Sequence, residues 1–293
     1  MQKITAINRK IQSTEQMQSV VKTMKVLSAV NIRHYSQAVE ALGEFSDNLH
    51  GALGLVLERM NLKGRLAGED TRKSSVGIIV FGSQRGLSGR FNEQVISRAF
   101  GEMEKMNASA DAALICVGKE VASRIRDRKI DRVFSFPGSD EGIIPLINEM
   151  LIRIESWRST DGIENIYIYN NRPVSGAAFS PGAKRLFPLD EDWLKKLEGK
   201  KWPTKMLPLL NTPAEELFSS LIRQHFFVSI YESFMDSLAA ENASRLAAMQ
   251  AAEKNIEEKM DELRSLYNHL RQSSITAELL DIISGFEALE KKR

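Results

Sequence analysis

Two long stretches, one at each end of the chain, repeat apolar residues at alternating gaps of three and four. After Pro213 no proline occurs, and only one glycine, Gly285. Val228, Tyr231, Met235, Leu238, Ala243, Leu246, Met249, Ala252, Ile256, Met260, Leu263, Tyr267 and Leu270 form a stripe with charges between them. Sustained over successive heptads, this spacing predicts a long helix in a coiled coil over 211–293. At a rise of 1.5 Å per residue it would reach roughly 100 Å, so it must project from a domain or find a long partner.

The other end mirrors it. Met1 to Leu42 holds neither proline nor glycine, and Ile4, Ile7, Ile11, Met17, Val21, Met24, Leu27, Ile32, Tyr35, Ala38, Leu42, Phe45 and Leu49 repeat the spacing, with Thr14 filling one position. A helix is expected from about Lys3 to Met60, fraying where Gly43, Gly51 and Gly54 lower the propensity. One apolar stripe on so long a helix needs burial. The C-terminal helix is the obvious partner. If the middle of the chain is compact and its ends are close, the two pack antiparallel, with the left-handed supercoil of a seven-residue repeat.

Between them the period changes. Ser75–Phe81, Ala112–Val117, Val133–Phe136 and Asn165–Tyr169 are short, apolar, β-branched runs read as strands, and Ala177 onward as a fifth ending before Pro181-Gly182. Helices are expected from about Asn92, over Lys119–Lys129 and over Ile143–Trp157. Strands alternating with helices indicate an α/β domain with a largely parallel sheet over about 74–210. Asn61–Ser74 reads as a linker, and Pro203, Pro208 and Pro213 mark the exit. The fold class is therefore mixed α/β: a Rossmann-like domain inserted between the halves (1–60 and 211–293) of an antiparallel coiled coil.

Composition narrows the chemistry. Of 293 residues, 43% are hydrophobic and 27% charged, enough for a real core. A net charge of +2 gives no bulk electrostatic case for nucleic acid. The single cysteine, Cys116, excludes an internal disulfide and a thiolate zinc cluster. The first ten residues lack the apolar core of a signal peptide, and no apolar run is long enough to span a membrane. Up to Arg33, however, the first helix carries Lys3, Arg9, Lys10, Lys22, Lys25 and Arg33 against one acid, Glu15. That lopsidedness reads either as a solvated face or as a basic track for an acidic partner.

No active site emerges. The turn Gly82-Ser83-Gln84-Arg85-Gly86-Leu87-Ser88-Gly89 lies between a strand and a helix, where a phosphate loop would sit. It fails both G-x-x-x-x-G-K-[ST] and G-x-G-x-x-G, so it reads as a structural turn. The four histidines have no metal-ligand spacing, and Ser83 and Ser88 lack a nucleophile-elbow context. No cofactor is expected. The last twenty residues are unusual for a terminus: Ile275, Leu279, Leu280, Ile282, Ile283, Phe286 and Leu289 spread over more than one helix face. Such a tip asks for enclosure, by the chain's own core or by an apolar socket elsewhere.

Four motifs, in order along the chain, resemble the γ subunit of F-type ATP synthases. They are KIQSTEQMQSVVKTMKVLSA at Lys10–Ala29, GSQRGLSGRFNEQV from Gly82, ENASRLAAMQAAEKN at Glu241–Asn255 and ITAELLDIISG at Ile275–Gly285. The resemblance implies a non-catalytic rotor shaft. Its coiled coil would lie inside the α3β3 ring of α and β subunits, and its α/β domain would carry the ε subunit near the c-subunit ring. No direct membrane span is implied; the place would be peripheral, on the cytoplasmic face of the plasma membrane. Matched by position, Met24 and Lys25 on the first helix and Arg245, Arg271, Gln272, Thr276 and Glu278 on the last fall where that family contacts β. Gln84, Ser88, Asn31 and Phe286 depart from the family pattern. They suggest a divergent branch and leave the coupling ion, H+ or Na+, open. Two rivals remain from the residues alone: a coiled-coil adaptor with a nucleotide-sensing domain, and an α/β enzyme with helical dimerisation arms.

Overall fold

The computed structural model describes residues 2–60, 75–106, 112–137, 139–174, 178–189 and 211–290, with 193–194, 197, 202 and 208 between them. The expected linker 61–74 and most of 203–210 lie outside the described residues. In chain order the elements are α1 (Gln2–Met60), β1 (Val76–Phe81), α2 (Phe91–Lys105), β2 (Ala113–Val117), α3 (Lys119–Arg124), β3 (Arg132–Phe134), α4 (Ile143–Ser159), β4 (Asn165–Pro173), β5 (Phe179–Phe187) and α5 (Ala214–Glu290). Pro213 stands just before α5, where its missing N–H costs nothing, and its carbonyl accepts from Leu217 N at 3.1 Å. Glu215 and Glu216 in the first turn complement the helix dipole.

The strands lie in the order β3-β2-β1-β4-β5; the first four are parallel and β5 runs antiparallel to β4 at the edge. Near-continuous apolar runs such as VGIIVF suit strands covered on both faces. On one face Val95, Ala99 and Met103 of α2 and Val121 of α3 pack over Ile78, Val80, Leu114 and Cys116. On the other, α4 contributes Ile147, Met150, Ile154 and Trp157. Parts of both long helices join it, with Leu53 and Val56 of α1 and Phe226, Ile230 and Phe234 of α5. Residues 29–245 form one compact unit around this sheet; residues 1–28 and 246–293 form a second.

Several expectations are corrected. The fifth strand does not stop before Pro181-Gly182 but runs through them, pairing Pro181 with Asn171. A proline is tolerated there because β5 is an edge. Helix α3 ends at Arg124 rather than Lys129, because Ile125 leaves it in extended geometry to bury its side chain. Nor does α1 fray at its glycines: Leu49, Leu53, Val56 and Leu57 are core residues. The glycines permit close approach instead. A Cβ on Gly54 would sit 2.6 Å from the Leu197 carbonyl oxygen, and one on Gly51 would sit 3.3 Å from the Trp202 ring. Gly43 has nothing within 4 Å. Gly43→Ala should therefore stabilise by about 0.5–1 kcal/mol through helix propensity alone. Gly54→Ala should destabilise by about 1–3 kcal/mol despite the same propensity gain, because backbone must move. Urea unfolding of the two variants checks the opposite signs.

In the 1–28/246–293 unit the apolar stripe of α5 is observed as expected: Leu246, Met249, Ala252, Ile256, Met260, Leu263, Tyr267 and Leu270 are all buried or half-buried. On α1 the inward positions are Ile4, Ile7, Ile11, Thr14, Gln18, Val21, Lys25 and Ser28. Met17 and Leu27, read into that stripe from sequence, lie exposed beside it, as does Phe45 further along the helix. The seam uses polar side chains where an apolar neighbour one residue away mimics the spacing. Thr14 satisfies its own hydroxyl on the Lys10 carbonyl at 2.8 Å. Lys25 Nζ meets Glu253 Oε2 at 2.5 Å, and Arg264 lies 3.5 Å from Glu15. Ten residues back along α1 correspond to eleven forward along α5, so the helices run antiparallel.

Candidate functional site

The carboxyl ends of β1 and β4 flank the point where the sheet's winding reverses, the usual ligand crevice of such folds. Here that crevice is filled. Asn92, in the first turn of α2, accepts from Ser83 N through Oδ1 and donates from Nδ2 to Ser83 Oγ, both at 2.8 Å. Asn171 Nδ2 donates to the Phe91 carbonyl at 2.9 Å. From α5, Ser244 Oγ donates to the Ser88 carbonyl at 2.5 Å, and the Ser233 carbonyl accepts from Asn170 Nδ2 at 3.3 Å. The glycines of the turn serve packing: a Cβ on Gly82 would fall 2.2 Å from Val121. Gln84 Oε1 is spent accepting from Lys119 N and Phe136 N, each at 3.2 Å. The loop is the structural turn its spacing indicated, with no open phosphate cradle.

A second concavity, of about 640 Å³, is lined by His50, Lys184, Trp193, His225, Ser229 and Glu232, among others. The His225 ring lies 4.4 Å from that of Trp193, and its Nδ1 is buried without a partner among the described residues. Burial, then Lys184 and His50, pushes its imidazole down to about 3. A base with a lowered folded pKa contributes stability that is complete above the unfolded value of about 6.5 and is lost as pH falls toward 3. Lowering the pH through that window should cost the wild type up to about 1.4 kcal/mol per pH unit more than His225→Phe. Urea midpoints of both chains between pH 7 and 4.5 measure the difference. Among the described residues no group of His, Cys, Asp or Glu could hold a metal, and no helix is long and apolar enough to cross a membrane.

The remaining candidate is the outer surface of the 1–28/246–293 unit. Beyond Ser274 every described side chain of α5 is exposed, including Ile275, Leu279, Leu280, Ile282 and Ile283 at 47–57%. Inward residues such as Leu263, Tyr267, Leu270 and Ser274 occupy one side of the helix. Helical phase puts the exposed apolar five on the other. Among the described residues of the tip no side chain is covered; the side chains of 285–290, Phe286 included, lie outside the described residues. On α1, Met17, Val20, Val26 and Leu27 are likewise 52–61% exposed.

The seven residues singled out from sequence fall into two groups. Arg271, Gln272, Thr276 and Glu278 are exposed within two turns of α5. Arg271 and Glu278 share one face, while Gln272 and Thr276 share the next, with Thr276 Oγ1 donating to the Gln272 carbonyl at 3.0 Å. Met24 is half-buried beside the seam. Lys25 is engaged by Glu253, and Arg245 by Glu241 and by Asn242 Oδ1 at 3.5 Å. Burial pushes the Glu241 carboxyl above its ordinary range, against the pull of Arg245. Asn31 Nδ2 donates to the same Asn242 oxygen at 3.4 Å, which gives that departure a local partner. Sequence reasoning missed Glu241, Asn242, Ser244 and Asn170. The available signal was serine recurring at 229, 233 and 237 on a helix otherwise too apolar to be solvated.

Comparison with known proteins follows this geometry. A family model described as ATP synthase matches residues 3–289. The ATP synthase gamma chain of Persephonella marina is 25% identical over 292 residues, covering 97% of each chain. That of Ruminococcus albus is 29% identical over 285 residues, covering 95% of this chain and 96% of the relative. Among solved structures, the rotor of Euglena gracilis mitochondrial ATP synthase in rotational state 1 aligns with TM-score 0.65 at 16% identity, over 93% of this chain and 99% of that one. The central stalk/c-ring structure of the Tetrahymena thermophila enzyme contains a chain aligning at TM-score 0.60 and 19% identity, over 80% and 99%. Both share the fold.

Proposed function

The chain belongs to the gamma-chain family of F-type ATP synthases, and we propose on that footing how its surfaces serve a central-stalk rotor. It is a non-catalytic subunit that couples ion passage through the membrane sector to ATP synthesis or hydrolysis on the β subunits. Its partners are the α3β3 ring, ε and the c-subunit ring. The observation that carries this reading is the antiparallel helix pair ending in a solvent-facing apolar tip. Among the described residues, every side chain of that tip beyond Ser274 is exposed. The filled crevice disfavours the nucleotide-sensing adaptor.

In this proposal the shaft reads the ring mainly through Arg271, Gln272, Thr276 and Glu278, which are unshielded. Met24, Lys25 and Arg245 take part where a rotary state draws Lys25 from Glu253 or Arg245 from Glu241. Coupling needs such differential contacts, since a shaft bound equally in all states biases none. The subunit sits peripherally on the membrane sector, and we place it on the cytoplasmic face. Residues 1–60 and 211–293 supply the shaft helices, and 74–210 the domain that meets ε and the c ring. Reconstitution tests the proposal: the chain mixed with its cognate α and β subunits yields an ATPase-competent complex. A monomeric chain beside an unaltered α3β3 assembly overturns it.

A further inference from the structure

We propose that the filled crevice at the carboxyl ends of β1 and β4 is a rotational clamp on α5, with Asn170 and Ser244 as its positioning residues. This rests on the rotor reading. Torque delivered to the 29–245 unit reaches the shaft along the two long helices, and α5 transmits it only if it cannot turn in its seat.

The seat is built for that. From His225 to Ser244 the helix is buried or half-buried at every position. Apolar packing supplies adhesion there, but it is non-directional and tolerates small rotations. Hydrogen bonds do not, since they weaken steeply once bent. Besides the half-buried Lys184–Glu232 and Asn31–Asn242 contacts, two fully buried ones grip α5 eleven residues apart, about three turns: Asn170 Nδ2 on the Ser233 carbonyl, and Ser244 Oγ on the Ser88 carbonyl. Each comes from a rigid support. Asn170 is fully buried in β4, paired with Gly182 across the sheet. The Ser88 carbonyl lies between Leu87 and Gly89, held at φ 64° and 57°, and also accepts from Phe91 N at 3.3 Å. A Cβ on Gly89 would stand 3.5 Å from Ser244 Oγ, so the turn closes directly on the helix.

The joint is not tuned for stability alone. Asn170 Oδ1 and Ser237 Oγ are buried without partners among the described residues. An apolar interface of the same shape would avoid that cost. What the polar lining adds is one preferred angle of the helix about its own axis.

The test uses the assembled complex, immobilised through its α3β3 ring. A bead is attached to a single introduced thiol at Glu104→Cys, on the exposed side of α2; Cys116 is buried and stays unlabelled. Without nucleotide, the variance of the bead's angle reports torsional softness. The double variant Asn170→Leu/Ser244→Ala is expected to raise that variance at least about twofold, with Ser244→Ala alone giving an intermediate rise. Met235→Ala, which deletes apolar contact from the same stretch of α5, should leave it within about 1.3-fold while lowering the unfolding temperature. An unchanged variance in the double variant overturns the clamp, as does an equal rise in Met235→Ala. If the double variant does not assemble, Ser244→Ala alone decides by the same comparison. A wild-type chain that fails to assemble rejects the rotor reading, not the clamp.

Discussion

Deleting residues 275–293 is expected to leave the thermal transition of the 29–245 unit within about 1 °C of the intact chain. Assembly with the α3β3 ring and coupling within it should nevertheless weaken sharply. The reason is the division of burial along α5. Up to Ser274 one side of the helix is covered; beyond it Ile275, Leu279, Leu280, Ile282 and Ile283 stand about half exposed. Enclosing the rest of each side chain is worth roughly 1 kcal/mol, or about 5 kcal/mol for the five as an upper bound. That corresponds to between three and four orders of magnitude, roughly, in an assembly constant. Titrating α3β3 with full-length and truncated chains by sedimentation measures the loss, and calorimetry of the free chains measures the transition. A fall of several degrees in that transition would show the tip to be a prop for the domain. Undiminished assembly would show that it seats on nothing.

The largest stability loss should come from Phe234→Ala, about 3–5 kcal/mol. Phe234 is 1% exposed and lies on the face of α5 turned to the sheet. Its ring meets Phe81 of β1 at 5.8 Å and 84°, and Phe136, just past β3, at 5.0 Å and 82°. Both are edge-to-face contacts, which add to area burial. Phe234→Leu should recover more than half of the loss by filling volume without the ring geometry. Urea unfolding followed by tryptophan fluorescence reads the effect, since Trp157 is buried in the same cluster. A cost below about 1 kcal/mol would mean that α5 is held chiefly elsewhere.

Much of this architecture was legible because its two periods differ so plainly. Runs such as VGIIVF and ALICV admit little but buried strands, and the stripe from Leu246 to Leu270 admits little but a seam. Where the reading erred, local pattern and tertiary partner pointed different ways. Met17 and Leu27 are apolar and correctly spaced from a neighbour, yet the covered positions are Gln18 and Ser28, and nothing in one strand of a coiled coil says which side its partner takes. Gly54 looks like a weakness until the Leu197 carbonyl is brought against it from a distant part of the chain. The apolar tip was legible by composition, whereas its four exposed polar neighbours were reached only by matching positions to the family's motif. The engagement of Lys25 by Glu253, and the filling of the crevice by Ser233 and Ser244, were not legible at all: both need the register of residues that sequence leaves 63 to 228 positions apart.

That register has a bearing on biosynthesis. Leu53 and Phe226 share the cluster over one sheet face, and Lys25 and Glu253 are 228 positions apart. A nascent chain made through β5 can cover the α2 and α3 side of its sheet and, with α4 and α1, part of the other, but the region around Phe81 awaits Phe234 and its neighbours beyond Pro213. Until then the part of that face destined for α5 offers open apolar surface, the kind that chaperones recognise and that drives premature association. The helix pair inherits the same delay, because closing so long a loop is entropically costly until the sheet has gathered both strands of the seam. The shaft should therefore zip outward from Ser28 and Leu246 as the last event of folding. Partners that seize the tip would favour the completed zipper over its frayed precursor, so assembly itself would proofread which chains have finished.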